Sequence, residues 1–369
     1  MKQKIFIFSI IVTTILIGCN EVQDKKVQIN PIDQLEQVDN LLSEISEKPQ
    51  QMTAPSDKET VVTGAKGTVI HVDPNRLETI DGSPLGDNIQ IELLEMTDNS
   101  SMLLNNTQTV SNGEILVTGG AYYLNMTSDG KQLRMKQGKG LEVEFPKLTE
   151  DEMDLFIGER DSLGQMNWVQ AEQSFKGKDL EVPKKPEPKK ITKKETYSEI
   201  DMIFGHIDGE ESKPLTEKEK EELKRQGQEY QREYERQKRE YETASKTYES
   251  VKLMNFGWIN CDRFWNEPSP KTDIQLLVNN DSLTGARIYA VFSDLKSIMT
   301  TQYWKGMQDT ASFKNVPTGK DLIIIALSAK DETPLIFETT INTSTQKQVN
   351  IEFIATTQSE IKEKMKRMN

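Results

Sequence analysis

Residues 113–128, GEILVTGGAYYLNMTS, decide how this chain is read. Two alternating, β-rich runs, 113–120 and 121–128, lie between the turn signals Asn112-Gly113 and Asp129-Gly130. That pattern predicts strands at the edge of a core. Thr118-Gly119-Gly120, at their junction, lacks the glycine spacing and helix start of a phosphate cradle, so a turn between two strands is expected there.

Similar runs flank this one: GTVIHV at 67–72, NIQIELLEM at 88–96 and GLEVEFP at 140–146. Asp81-Gly82 supplies another turn. The cluster DLFIGERDSLGQMNWV at 154–169 predicts a closing hairpin that turns at Asp161-Ser162-Leu163-Gly164. Short strands at this regular spacing predict an antiparallel sandwich over residues 61–182.

Further along, strands are predicted at 273–279, 285–294, 311–317, 321–329, 334–342 and 348–354. The run Leu322-Ile323-Ile324-Ile325-Ala326-Leu327 is apolar throughout, the mark of a strand covered on both faces. A second sandwich is therefore expected over 252–356, opening with the aromatic phrase NFGWINCDRFW at 255–265. Thr357 and Glu360 form a capping box that starts a short C-terminal helix over 357–369. The fold class is mainly β: two antiparallel β-sandwich domains joined by a Lys/Pro linker and a long charged α-helix.

The linker, 183–214, holds Pro183, Pro186 and Pro188 among lysines and is expected to be a stiff, solvated spacer. The helix, 215–251, is dense in Glu, Lys, Arg and Gln, with Thr216 and Glu219 placed as a capping box. Leu223, Tyr230, Tyr234, Tyr241 and Tyr248 fall on one stripe. Two readings stay open for the tyrosines: a seam against a sandwich or another helix, and a platform for a ligand such as a sugar.

The first nineteen residues carry an address. Lys2 and Lys4 precede an apolar run from Ile5 to Ile17, and Leu16-Ile17-Gly18-Cys19 resembles a bacterial lipobox. The run is shorter than the ~20 apolar residues of a spanning helix. The expected outcome is a signal peptide (1–18), cleaved before a lipidated Cys19. Lipid chains on Cys19 would make the membrane the first partner, each buried CH₂ contributing ~0.8 kcal/mol. Residues 19–60 are then expected to be a polar tether, with helical spacing at Leu35, Val38, Leu41, Leu42 and Ile45 that allows a short helix within it.

The formal charge is −13, and it becomes −15 once Lys2 and Lys4 leave. An acidic chain does not suit nucleic acid, which asks for a basic face. Beyond Cys19 the sequence holds a single thiol, Cys261, and two histidines, His71 and His206. No Cys/His spacing suits zinc, and the acidic loop 201–211 is too sparse for a Ca²⁺ loop, so no metal and no cofactor are expected. Cys261 is read as buried, with an intermolecular bridge or a reactive thiol as alternatives. No nucleophile elbow, P-loop or zincin motif occurs. The binding candidates are Trp258, Phe264 and Trp265 of the aromatic phrase, with Phe256, and Tyr230, Tyr234, Tyr241 and Tyr248. The alternative for the phrase is the core of the second sandwich.

Across roughly 63–175 the order of these features resembles the first domain of large lipoproteins of Bacteroidota-type bacteria. More distantly it resembles the β-sandwich of ankyrins and netrin receptors. The phrase FKNVPTGKDLIIIALSAKD at 313–331 resembles small immunoglobulin-like or carboxypeptidase-regulatory modules. These resemblances imply interaction rather than catalysis and carry over no catalytic residue. The expectation is a non-enzymatic lipoprotein of the cell envelope with an interaction or structural role at the outer membrane, its partner another envelope protein or a glycan. The first alternative is a glycan-binding accessory protein of nutrient capture. The second is a cryptic hydrolase, which would need paired carboxylates in a cleft.

Overall fold

The computed structural model describes residues 30–185, 216–279, 283–292, 294–307 and 310–369. The predicted signal peptide, Cys19, most of the Lys/Pro linker, the acidic loop 201–211 and the Glu219 side chain of the helix cap lie outside the described residues. The fold is mainly β, with several antiparallel sheets that do not close into barrels.

The first sandwich pairs a large sheet with a small one. The path of the large sheet is β1 (Gln50–Pro55), β5 (Asn88–Met96), β7 (Glu114–Ser128), β13 (Gly257–Phe264), β10 (Met153–Arg160) and β11 (Met166–Phe175). Three short strands sit off that path: β4 (Leu77–Thr79), β6 (Val110–Ser111) and β8 (Lys131–Met135). The small sheet runs β12 (Val251–Leu253), β9 (Leu141–Glu144), β3 (Val69–Val72) and β2 (Thr60–Thr63). Their inner faces enclose a core that includes Ile70, Ile91, Tyr122, Leu124, Val143, Phe145, Leu155 and Ile259.

Two sequence expectations change here. The turn predicted at Thr118-Gly119-Gly120 is instead the middle of one strand of 15 residues. Opposite β13, the register steps from Ala121↔Asn260 to Thr118↔Asp262, so β7 carries one extra residue. This is a β-bulge, and Gly120 absorbs it with φ +123°. The true turn follows at Asp129-Gly130, both with positive φ, joining β7 to β8.

The second difference concerns the boundary expected at residue 252. The phrase GWINCDRF does not open the second sandwich; it is β13, inserted between β7 and β10 in the middle of the first sheet. Local pattern places a strand but not its neighbours, and these neighbours are supplied from about a hundred residues upstream. The chain leaves the first sandwich after β11 and returns beside its exit, where Gly177 bridges Tyr248.

Between exit and return lies α3 (Glu217–Ala244), of 28 residues. Charge pairs such as Arg225–Glu222 and Arg236–Glu240 line its surface. Gly227 is the one buried residue among those whose side chains are described, so α3 does not lie along a sandwich.

In the second sandwich, β17 (Ala311–Pro317), β14 (Lys271–Val278) and β20 (Gln348–Ile351) face a five-stranded sheet. That sheet runs β16 (Ile298–Trp304), β15 (Gly285–Phe292), β18 (Asp321–Lys330), β19 (Thr333–Asn342) and β21 (Ile354–Ala355). β14 and β20 are parallel. The double burial read from LIIIAL is seen in β18: Leu322, Ile324 and Ala326 face the sandwich interior, and Ile325 and Leu327 face a second core.

That second core joins the two sandwiches. Helix α1 (Pro31–Ile45) contributes Val38, Leu41, Leu42 and Ile45, and α2 (Asn99–Leu104) contributes Met102, Leu103 and Leu104. The C-terminal helix α4 (Gln358–Lys366), which starts with the predicted Thr357–Glu360 capping box, adds Ile361 and Met365. Residues 30–60 are therefore not a tether: they hold a buried helix and the edge strand β1. The apolar spacing of α1 was visible; its partners on α2 and in the distant second sandwich were not.

Candidate functional site

β13 explains why the aromatic phrase is not one patch. Alternate residues of a strand face opposite ways. Trp258 and Phe264 face the core between the sandwiches, with Asn260 and Asp262 on the same side, while Ile259 and Cys261 face the first sandwich. Phe264 meets Phe156 edge-on at 5.5 Å. Phe256 packs against the first core and Trp265 against the second sandwich, with Lys320 Nζ 5.5 Å from its ring centre. The phrase is thus a staple through three cores, and it leaves only part of Trp258, Phe264 and Trp265 at the surface.

The tyrosines divide as well. Tyr230, Tyr234 and Tyr241 lie on α3, the first 48% exposed and the others half-buried. Tyr248 lies past the end of the helix, buried in the first sandwich with its ring 5.3 Å from Phe175. The stripe of sequence is therefore three helical residues and one core residue.

The root of the α3 excursion is held by Glu144. This carboxylate accepts from Lys178 Nζ at 2.6 Å on the outgoing chain and from Thr247 Oγ1 at 3.0 Å on the returning one. His71 Nε2 lies 3.1 Å from its other oxygen. Burial pushes its pKa upward, but the bonds to Lys178, His71 and Thr247 outweigh that and hold the carboxyl below the usual value.

Between α1, which lies on the sheet of the second sandwich, and residues of the first sheet, a groove of 430 Å³ opens. Tyr123 and Trp258 line it, their ring centres 4.9 Å apart and tilted by 51°. Arg160 covers the Trp258 ring at 4.6 Å. Its guanidinium donates to the carbonyls of Asn106 (2.9 Å), Gly164 (2.7 Å) and Asn105 (2.9 Å), and burial, aided by nearby Arg287, pushes its pKa down to about 10. Arg160 takes one face of Trp258 and the tilt keeps the rings from forming one flat platform, so the groove offers ring edges beside a polar rim. Sequence reasoning singled out Trp258 but missed Tyr123 and Arg160, which join it only through sheet pairing.

Deeper in the same interface lies a dry polar cluster. Asn260 and Asp262 are 0% exposed and Thr118 is 5% exposed. Thr118 Oγ1 donates to Asn260 Oδ1 at 3.3 Å, and Asn260 Nδ2 donates to Asp262 Oδ2 at 2.6 Å. Asp262 Oδ1 is buried with no hydrogen-bond partner. Burial pushes the Asp262 carboxyl well above the ordinary range, so that its neutral form is favoured. From the Cys/His candidates, Cys261 is a free, buried thiol whose pKa burial raises, the reverse of an activated nucleophile. His71 is spent on Glu144, and His206 lies outside the described residues. Among the described residues, no group of three or more His, Cys, Asp or Glu could hold a metal ion, and no helix is long and apolar enough to cross a membrane.

Fold and site together define a mainly β, two-sandwich protein with a wedge of three helices in its interface. No family model, curated protein or solved structure matches the chain.

Proposed function

We propose that this protein is a non-enzymatic lipoprotein of the cell envelope, anchored through Cys19 at the outer membrane, whose role is to bind or present another envelope component. The observation that carries the interaction reading is α3: 28 residues of helix stand out from the first sandwich, charged along their length, while both roots of the excursion are pinned at Glu144. A projecting helix on a rigid base suits partner recognition, since an amphipathic or charged helix face can dock in a complementary groove. The anchor reading rests on Lys2, Lys4, the apolar run and Leu16-Ile17-Gly18-Cys19. Against hydrolysis, the carboxyl with a raised pKa, Asp262, is sealed from solvent rather than set in a cleft.

The test has two arms. Cells are fed an alkyne fatty acid, and the wild type is expected to carry the label while Cys19→Ser does not; an unlabelled wild type would overturn the anchor. A photo-crosslinker at position 241 is expected to trap one discrete protein adduct in intact cells, and its absence at 241 and 234 alike would overturn α3 as the docking element. Protease shaving of intact cells then separates a surface role from a periplasmic one.

A second reading, glycan binding, is favoured by the Tyr123–Trp258 pair in its groove. On a glycan array, wild-type binding that Trp258→Ala abolishes would support it, and no binding by the wild type would dispose of it.

A further inference from the structure

Helix α3 carries a seven-residue repeat. Leu223, Tyr230 and Gln237 take position d of a heptad, and Gly227, Tyr234 and Tyr241 take position a. Steps of four and three keep the six on one side of the helix. Of these six only Gly227 is buried. Leu223, Tyr234 and Tyr241 are half-buried, Tyr230 is 48% exposed and Gln237 is exposed, so most of the stripe is open to solvent.

The residues that flank the stripe decide what it can meet. Position g holds Glu219, Gln226 and Glu233, and position e holds Lys224, Gln231 and Lys238. In a parallel pair of helices each g residue meets the e residue five places on in its partner. Glu219 then faces Lys224, Gln226 faces Gln231, and Glu233 faces Lys238. Over residues 219–238 each contact therefore joins opposite charges or two carboxamides. In an antiparallel pair g meets g and e meets e, which sets glutamate against glutamate and lysine against lysine. The charges fit a second copy of α3 in one orientation and reject the other. Lys224 and Lys238 are exposed, the latter 3.7 Å from Glu242. Glu233 accepts from Arg236 of its own helix at 2.6 Å, and a carboxylate has room for a second donor.

We propose that α3 pairs with α3 of a second copy of this chain, side by side and parallel, as a two-stranded coiled coil. This rests on the reading of α3 as the docking element and names its partner. A seam of tyrosines holds less firmly than one of leucines, so the pair needs crowding. Chains anchored through Cys19 in one bilayer share one orientation and a raised local concentration, which suits a parallel pair.

The test is thiol crosslinking of the full chain in intact cells with a short bismaleimide. Leu223→Cys and Tyr241→Cys lie about 27 Å apart along the helix. A parallel pair brings both positions beside their own counterparts, and an antiparallel pair brings at most one. Both variants are expected to give a dimer band above the wild type, which keeps Cys19 and the buried Cys261 as background. Arg232→Cys, at position f on the outer face, is expected to stay monomeric. In the Tyr241→Cys chain, Lys224→Glu with Lys238→Glu is expected to remove the band, and adding Glu219→Lys with Glu233→Lys to restore it. A band from one seam position alone, from neither, or equally strong from position 232 overturns the parallel pair. A band that survives the first charge swap, or does not return with the second, overturns the pairing of charges. The photo-crosslinker at 241 separates this proposal from the reading beneath it. An adduct of twice the chain's mass supports the pair. An adduct of another mass overturns self-pairing and leaves α3 as a docking element, and no adduct at 241 or 234 overturns both.

Discussion

Arg287 grips Asp39 with two parallel hydrogen bonds, Nε to Oδ1 at 2.9 Å and Nη2 to Oδ2 at 2.7 Å. The pair ties α1 to the second sandwich across 248 residues of chain. Arg287 Nη1 donates to Gln302 Oε1 at 2.6 Å, so each of the three guanidinium nitrogens has a partner.

Asp39→Asn tests that tie. The Arg287 side chain is 3% exposed but that of Asp39 is 45% exposed, so water can partly replace the carboxylate. The expected loss is about 2 kcal/mol, below the 3–5 kcal/mol of a fully buried pair. Urea denaturation measures it; an unchanged midpoint would mean that the pair is neutral.

Leu42 tests whether α1 belongs to the folded body. It is 3% exposed in the core between the sandwiches. Leu42→Ala should cost about 3 kcal/mol, as for other buried leucines. A disordered tether would tolerate the change without effect on the melting temperature.

Gly120 tests the bulge. Its φ is +123°, and a Cβ there would lie 2.7 Å from Tyr122 Oη. Gly120→Ala combines backbone strain with a clash and is expected to cost roughly 2 kcal/mol or more. Gly130→Ala, at φ +72° with open space around it, is the milder control. Equal losses for the two would remove the special role given to position 120.

Asp262 sets a pH dependence. Its folded pKa is raised, so the unfolded chain gives up this proton first, from about pH 4 upward. The contribution of Asp262 to stability is full below that value and falls as pH rises toward the folded pKa. Melting curves of wild type and Asp262→Asn at rising pH should therefore differ in slope, the variant being flatter. Parallel slopes would show that the carboxyl titrates normally.

Glu144 behaves in the opposite sense. Its folded pKa is depressed, so its contribution is full above the ordinary carboxylate value and fades as pH falls through the folded one. The protection factors of the amides of Lys147 and Tyr248, which close the root of the excursion, should fall severalfold in acid and in Glu144→Gln at neutral pH. Protection that ignores both changes would separate Glu144 from the anchoring of α3.

Strand and helix positions were largely legible. The alternation of 88–96, the double burial of 322–327, the 161–164 turn, the stripe of α1 and the Thr357–Glu360 cap all rest on neighbours within a few residues. β16 was missed, because IMTTQYW mixes polar residues into a half-covered strand. The candidate site was legible only in part. Trp258 stood out as a large aromatic, whereas Thr118, Asn260 and Asp262 are ordinary polar residues whose burial no local pattern announces.

Periodicity, turn residues and caps are local, so the sequence by itself determined the mainly β class, most of the strands and the capped start of the C-terminal helix, and it carries the expectation of an address at Cys19. Which strands lie side by side depends on contacts among residues far apart, and there the tertiary structure decided. It put β13 between β7 and β10, drove α1 and α4 into the gap between the sandwiches, and stretched β7 through Gly119-Gly120 instead of turning it. In each case an apolar face that one segment exposes can be buried only by a distant one, and burial outweighs what the local chain prefers.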